Sequence, residues 1–419
     1  VTQPQTLHQL QRSVSNPLII GLACVVSLAW FLFWNLSPTL YAVPFGTLSV
    51  DEWFHYHIDF DVYREGAKAY LAGDNLYTRD YSVWGINLPF TYPPLAAIVF
   101  APFTLVPVNT GGAILNLLSA LLLWHVLFMV SKRILPSWST KAQLGLATVV
   151  FPLMLVLEPV RETMSYAQVN IVLMWMVVLD TVPANKRLPR GLFVGLAAAI
   201  KLTPAVFGLY FLLKRDWRAA ITSVVSGVAA SALAFFMAPT SSKTYWLETL
   251  HDTGRIGVLA WPSNQSFKGV LYRAGQEASG VWLLFVIIGM LAIAYAMWRM
   301  IQQRNDVAAI MLNSAVALLC SPVSWSHHWV WFAPSLLVIL VAVVRRKSWA
   351  LGGGWFLSAF VAVSSPHWGM PRENGLENTW SLLQQFLGNA YVWVAVLWIV
   401  IAIFLPAKHE QVVFEQQRP

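Results

Sequence analysis

The sequence predicts an all-α polytopic integral membrane protein with about twelve transmembrane helices, some of them short or re-entrant. Three observations predict it. First, only 11% of the 419 residues are charged, 57% are apolar, and mean hydropathy is +0.59. A soluble domain carries about 25% charged residues. A chain this poor in charge cannot cover a water-facing surface, so a soluble globular enzyme is excluded, and the apolar content excludes disorder. Second, apolar runs close to the length of a membrane span recur from end to end. Third, Lys and Arg number 27 against 19 Asp and Glu, a net charge of +8. Most of these basic residues cluster between apolar runs, which is the pattern of cytoplasmic loops rather than of a nucleic-acid surface.

The first run, 17–37, is long and Trp-rich, and no small-x-small cleavage site follows it. It therefore reads as a retained anchor rather than a signal peptide, with Arg12 on the cytoplasmic side. Further runs lie near 93–107, 111–130, 142–157, 167–182, 191–213, 218–238, 280–300, 307–320, 329–344, 350–363 and 390–406. Cys24 and Cys320 sit in or beside such runs, match no metal spacing and imply no disulfide framework. With short hydrophilic tails and no internal repeat, residues 1–419 read as one transmembrane domain.

Placing Lys214/Arg215/Arg218, Arg299/Arg304, Arg345/Arg346/Lys347 and Lys408 in the cytoplasm turns 38–92, 239–279, 321–328 and 364–389 outward. Lys132/Arg133/Lys141 and Lys186/Arg187/Arg190 also stay inside if 93–107 and 191–213 each dip into the membrane and return. Pro204 supplies a break for the second, tolerated where backbone lines a protein cavity. The longest outer loop, 38–92, holds Asp51, Glu52, Asp59, Asp61, Glu65, Asp74 and Asp80. An acidic outer loop directly after an anchor suggests a reaction at the outer membrane face, which makes 38–92 the candidate catalytic loop.

Several constellations could carry chemistry there. In "HYHIDFDVYREGAKAYLAGDNLY" (55–77), Asp59 and Asp61 would share one face of an extended strand. From Val62 the pattern is helical, with Tyr63, Ala67 and Tyr70 on one side and Asp61 as N-cap. Both carboxylates could be solvated or capping. One of them, partly desolvated, would make a general base, and Asp-x-Asp can hold a divalent metal without specifying one. Tyr92-Pro93-Pro94 reads first as structural punctuation, with Tyr92 able to line a cavity. In "LEPVRETMSYAQVN" (157–170), Glu158 and Arg161 are spaced to pair on a helical face, and Gln168 and Asn170 interrupt apolar surroundings. That segment is either an ordinary loop between spans or a functional one. Lys201, amid apolar residues, either snorkels or holds a lipid phosphate. Asn264-Gln265-Ser266 offers neutral hydrogen bonds suited to sugar hydroxyls, and reads as a glycosylation sequon only in a eukaryotic secretory setting. His327 and His328, among Trp325, Trp329 and Trp331, are either part of an interfacial aromatic belt or partners of a phosphate. No further Cys or His motif lies near them to complete a zinc site.

Taken together, "IDFDVYREGAKAYLAGDNLY", "FTYPPLAAIVFAPF", "EPVRETMSYAQVN", "GLAAAIKLTPAVF", "NQSFKG" and "SPVSWSHHWVW" resemble the polyprenyl-phosphate-sugar-dependent transferases of glycosyltransferase family 87, with the C-type glycosyltransferase fold. Within it the chain looks most like actinobacterial α-1,2-mannosyltransferases of the PimE type, which build phosphatidylinositol mannosides and lipoglycans of the cell envelope. The resemblance implies an inverting transfer of mannose from β-linked polyprenyl-phosphate-mannose to a mannosylated glycolipid, at the extracytoplasmic face of the plasma membrane. Asp59 would be the general base, and Asp61 would orient the acceptor or cap the helix. Lys201, His327 and His328 would surround the donor phosphate, while Glu158, Arg161, Gln168 and Asn264 would position sugar hydroxyls, with Tyr63 and Tyr92 beside them. The leaving group is polyprenyl phosphate rather than a nucleotide diphosphate, so no metal and no cofactor are expected. Where the family usually carries Gly before the Gln, this chain has Ala167, with no functional consequence expected. An arabinofuranosyltransferase using decaprenyl-phosphate-arabinose would have nearly the same site. A lipid-linked-sugar transporter would need charges along an intramembrane path, and a membrane scaffold would need neither the acidic loop nor Lys201 with the His pair.

Overall fold

The computed structural model describes residues 5–39, 49–183 and 188–406. Lys186, Arg187 and Lys408 of the basic clusters, and the start of the 38–92 loop, lie outside the described residues. Every apolar run read from the sequence folds as helix, but these helices differ in length. Among the described residues, five helices are long and apolar enough to cross a membrane: Pro17–Asn35, Val108–Ile134, Trp217–Met237, Ser279–Gln302 and Ser326–Arg346. Two bent pairs raise the number to seven. Thr140–Leu155 meets Glu158–Ser165 at 73°, and Leu382–Gly388 meets Ala390–Phe404 at 70°. Five shorter apolar helices of 10–17 residues stand beside them among the described residues, below the length of a full span. Prolines explain several of the interruptions. Pro152 sits inside the Thr140–Leu155 helix and Pro159 at the start of the next. The break expected at Pro204 is present: the helix Leu192–Ile200 ends on an extended Lys201, and a 3₁₀ segment Thr203–Phe207 follows.

The helix Val108–Ile134 runs the length of the bundle and marks its two ends. Near its start, Thr110 donates from its backbone N–H to Asp51 at 2.8 Å, in the acidic loop. At its other end Arg345 donates to the Ile134 carbonyl at 2.6 Å, and Arg133 stands 3.6 Å from Asp306, which also takes Lys214 at 3.0 Å. Twenty-seven residues of helix therefore separate the basic, ion-paired end from the acidic one.

At the acidic end a second, smaller core forms around the helix Ile58–Leu71. Its buried members include Phe60, Tyr63, Ala67, Phe90, Phe100 and Val169. Each large apolar side chain buried there contributes about 1.5–3 kcal/mol. Gly66 lets Phe90 lie flat on the helix, since a Cβ there would stand 2.5 Å from the Phe90 ring. A two-stranded antiparallel hairpin, Asp80–Val83 with Ile86–Pro89, packs Tyr81 and Val83 inward against the same core. The all-α expectation has this one small exception among the described residues.

Candidate active site

Asp59 and Asp61 lie in the first turn of the Ile58–Leu71 helix, not in a strand. His57 is the N-cap in extended conformation, which removes that role from Asp61. Two residues apart on a helix, the carboxylates diverge by about 200° and cannot share a ligand. Asp61 instead accepts from the Tyr56 hydroxyl at 2.7 Å, while Asp59 accepts from Gln168 Nε2 at 2.5 Å. Among the described residues no three His, Cys, Asp or Glu gather as a metal would require.

From Asp59 a chain of polar contacts runs inward. Gln168 Oε1 accepts from the hydroxyls of Tyr63 at 2.6 Å and Tyr92 at 3.2 Å. Lys201 Nζ lies 3.5 Å from the Tyr92 hydroxyl and over its ring, 5.1 Å from the centroid. The same ammonium donates to Asn170 Oδ1 at 3.0 Å and stands 3.3 Å from His328 Nε2. An ammonium has no lone pair to offer, so the imidazole accepts at Nε2 and is neutral there. Burial pushes the Asp59 carboxyl up to about 6, against the pull of Gln168 and of the Lys201 charge. A carboxylate with such a value is a competent proton acceptor near neutrality.

The loop after Glu158–Ser165 binds these pieces together. Phe60 donates from its backbone to the Tyr166 carbonyl at 3.2 Å, which fixes the helix entrance beside Gln168. Ala167, fully buried, adopts φ +47°, in the left-handed region. Glycine fits there without cost and alanine does not, so the departure from the family pattern has a backbone consequence. Thr163 Oγ1 at 2.7 Å and Asn170 Nδ2 at 3.0 Å both donate to the carbonyl of His327. His327 itself is buried against Tyr166 and His328, and its Nε2 has no partner among the described residues.

Asp59, Tyr63, Tyr92, Gln168, Lys201 and His328 thus form one connected group, with His327 beside it. Four other candidates do not join it. Glu158 is fully buried and accepts from Ser326 Oγ at 2.6 Å, Trp368 Nε1 at 2.8 Å and the Tyr391 hydroxyl at 2.7 Å, with His367 Nε2 3.4 Å away. Its oxygens are occupied by the protein, so it holds the His327–His328 turn in place rather than touching a sugar. The pairing of Glu158 with Arg161 does not form; Arg161 lies over the Trp34 ring instead. Asn264 is also fully buried. It accepts from the Ser324 N–H at 2.9 Å and donates to the Leu259 and Pro322 carbonyls at 2.9 and 3.3 Å, which clasps two distant loops together. The buried Asn264-Gln265-Ser266 triplet presents neither sugar-binding groups nor a sequon to solvent. Asp61 remains close to the site but outside the hydrogen-bonded chain. Asn170 belongs to the site although its sequence context marked it only as a polar interruption.

A half-buried carboxylate linked to a lysine and a neutral imidazole, where apolar helices meet an acidic loop, is built for group transfer next to a bilayer. The chain belongs to glycosyltransferase family 87, whose profile matches residues 90–322, and is a multi-pass membrane glycosyltransferase. Over 390 residues it is 36% identical to the polyprenol-phosphate-mannose-dependent α-(1-2)-phosphatidylinositol mannoside mannosyltransferase of Mycobacterium tuberculosis, covering 89% of this chain and 90% of that one. The Mycolicibacterium smegmatis protein of the same name is 38% identical over 374 residues, 83% of each chain. A phosphatidylinositol pentamannoside mannosyltransferase of Mycolicibacterium smegmatis is 34% identical over 356 residues, 83% of this chain and 81% of that one. No solved structure gives a significant match.

Proposed function

We propose that this chain is an inverting mannosyltransferase. It moves mannose from polyprenyl-phosphate-mannose to a mannosylated glycolipid, a phosphatidylinositol mannoside or lipomannan, and forms an α-1,2 linkage at the extracytoplasmic face of the plasma membrane. The observation that carries the reading is the connected group from Asp59 through Gln168 and Tyr92 to Lys201 and His328. It links a carboxylate suited to accept a proton with an ammonium suited to a phosphate through one run of polar contacts. The relatives' names, which give mannose as the sugar and a phosphatidylinositol mannoside as the acceptor, support the substrates. The basic end of the bundle, opposite Asp59, supports the outward orientation.

In this mechanism Asp59 takes the proton of the acceptor hydroxyl as its oxygen bonds to C1 of mannose. The C1–O bond to phosphate breaks, and its electron pair leaves on polyprenyl phosphate. Lys201 meets the charge that builds on the phosphate oxygens, with His328 beside it. Attack from the face opposite the leaving group turns a β-linked donor into an α-linked product. Gln168 and the two tyrosines hold the Asp59 carboxylate toward the acceptor. No step asks for a metal ion.

The test is transfer of radiolabelled mannose from polyprenyl-phosphate-mannose to a mannosylated phosphatidylinositol, with and without EDTA. Wild type is expected to transfer equally in both. Asp59→Asn is expected to lose about 10²–10⁴-fold in rate, the usual share of a general base. Full activity in Asp59→Asn would remove the base, loss with EDTA would remove the metal-free mechanism, and transfer only from an arabinose-bearing donor would replace the sugar.

A further inference from the structure

The hairpin Asp80–Val83/Ile86–Pro89 closes on the two residues Trp84 and Gly85. Both have positive φ, +47° and +80°. Turns of this kind take Asn, Asp or Gly at the first position, and a bulky side chain in the left-handed region is an outlier. The chain nonetheless places a tryptophan there and leaves it 79% exposed, while the neighbouring Tyr81 and Val83 are buried and hold the hairpin to the core. Strained residues of this sort concentrate where a side chain must be presented. Trp84 does not stand alone. The Tyr56 ring lies 6.1 Å away, inclined by 31°, and the Tyr56 hydroxyl donates to Asp61 at 2.7 Å. Burial first, then Asp61 and Glu65, hold the Tyr56 hydroxyl well above the usual phenol range, with the Asp59 carboxylate, three residues further along the chain, adding least. An aromatic face, a second ring and a carboxylate therefore extend outward from the base.

We propose that Trp84, Tyr56 and Asp61 form a subsite for the glycan of the acceptor, in which a mannose unit next to the reacting one lies on the Trp84 face while Asp61 accepts from its hydroxyls. Pyranose rings present a face of C–H groups and a rim of hydroxyls. An indole covers the first, and a carboxylate engages the second with charge-assisted hydrogen bonds. Three of the hairpin's exposed neighbours, Asp80, Ser82 and Asn87, are polar and suit a sugar, while Ile86 adds an exposed apolar side chain beside the indole. The subsite makes Trp84 a reader of how many mannoses the acceptor already carries.

The proposal rests on the mannosyltransferase reading, and its test separates the two. Transfer is measured with acceptors carrying one, two or several mannose units, and KM is obtained separately for acceptor and donor. Trp84→Ala is expected to raise KM about five- to tenfold for the longer acceptors, the scale of a lost aromatic contact. The donor KM stays at the wild-type value, and Trp84→Phe recovers most of the loss. Equal loss on all acceptors together with a lowered melting temperature would overturn the proposal in favour of a structural role or a membrane anchor. A second arm needs no turnover: binding of mannosylated phosphatidylinositol to the full chain in detergent. Equal affinity in wild type and Trp84→Ala would also overturn the subsite. Absence of mannose transfer by wild type would overturn the parent reading while leaving the binding arm to decide this one.

Discussion

Replacing Gln168 by Leu removes the donor that stabilises the ionised Asp59, 2.5 Å away, with nearly the same side-chain volume left behind. A hydrogen bond to a charged group contributes about 1.5–3 kcal/mol, and about 1.4 kcal/mol moves a pKa by one. The carboxyl, already pushed up to about 6 by burial, therefore rises to about 7–8 in the variant. The rate needs the deprotonated form, so activity falls as pH drops through this value in either protein. At pH 7 the ionised share of Asp59 is about 90% in wild type and about 10–50% in Gln168→Leu, a two- to tenfold deficit from titration alone. The assay is kcat/KM for mannose transfer from pH 5 to 9. The acid limb is expected near pH 6 in wild type and one to two pH units higher in Gln168→Leu (about 7–8), so that the deficit shrinks toward pH 9. Parallel profiles, with the variant lower by a constant factor at every pH, would refute the account of Asp59 as a base tuned by Gln168.

Two further substitutions separate holding from binding. Glu158→Gln weakens the bonds from Ser326, Trp368 and Tyr391, and is expected to cost about 1.5–3 kcal/mol, read as a lower melting temperature in detergent. A normal melting temperature with a raised donor KM would show instead that Glu158 touches substrate. Asn264→Ala leaves the Ser324 N–H and the Leu259 carbonyl unpaired, with the Pro322 carbonyl kept by Ser266, and should cost about 1–3 kcal/mol of stability with the acceptor KM unchanged. A raised acceptor KM at unchanged stability would restore the sugar-binding role first expected of it.

Much of the site was legible because ionisable and amide side chains amid apolar sequence must be satisfied somewhere. Asp59, Gln168, Lys201 and His328 satisfy one another, and Tyr63 and Tyr92 supply the hydroxyls between them. Glu158 and Asn264 carried the same signal and turned out to serve the backbone and neighbouring loops. Spacing along the chain cannot tell these cases apart, because the partners of Glu158 lie 168 to 233 residues away. The division into full-length and short or bent helices was hidden for a related reason. Composition measures how apolar a run is, whereas the bends at Val156–Leu157 and Asn389 decide whether its helix crosses in one piece. The hairpin was hidden because its only alternating signal is four residues a strand, inside a loop rich in charge.

The carboxylate of Glu158 ties together Ser326, Trp368 and Tyr391, which arrive on three later stretches of chain. A chain is made from its N-terminus, and its early parts fold first. Asp59, Gln168 and Lys201 can thus be gathered when half the protein has been synthesised, and Ser326 later ties the His327–His328 turn to Glu158, but the second carboxylate oxygen gains its hydroxyl partner only when Tyr391 has docked. A product truncated before residue 391 carries every member of the polar group from Asp59 to His328, and Thr163 and Asn170 still hold the His327 carbonyl, but the Glu158 carboxylate has lost one of its three donors. The helix Ala390–Phe404 thus adds the latest clamp on the buttress behind the histidine turn.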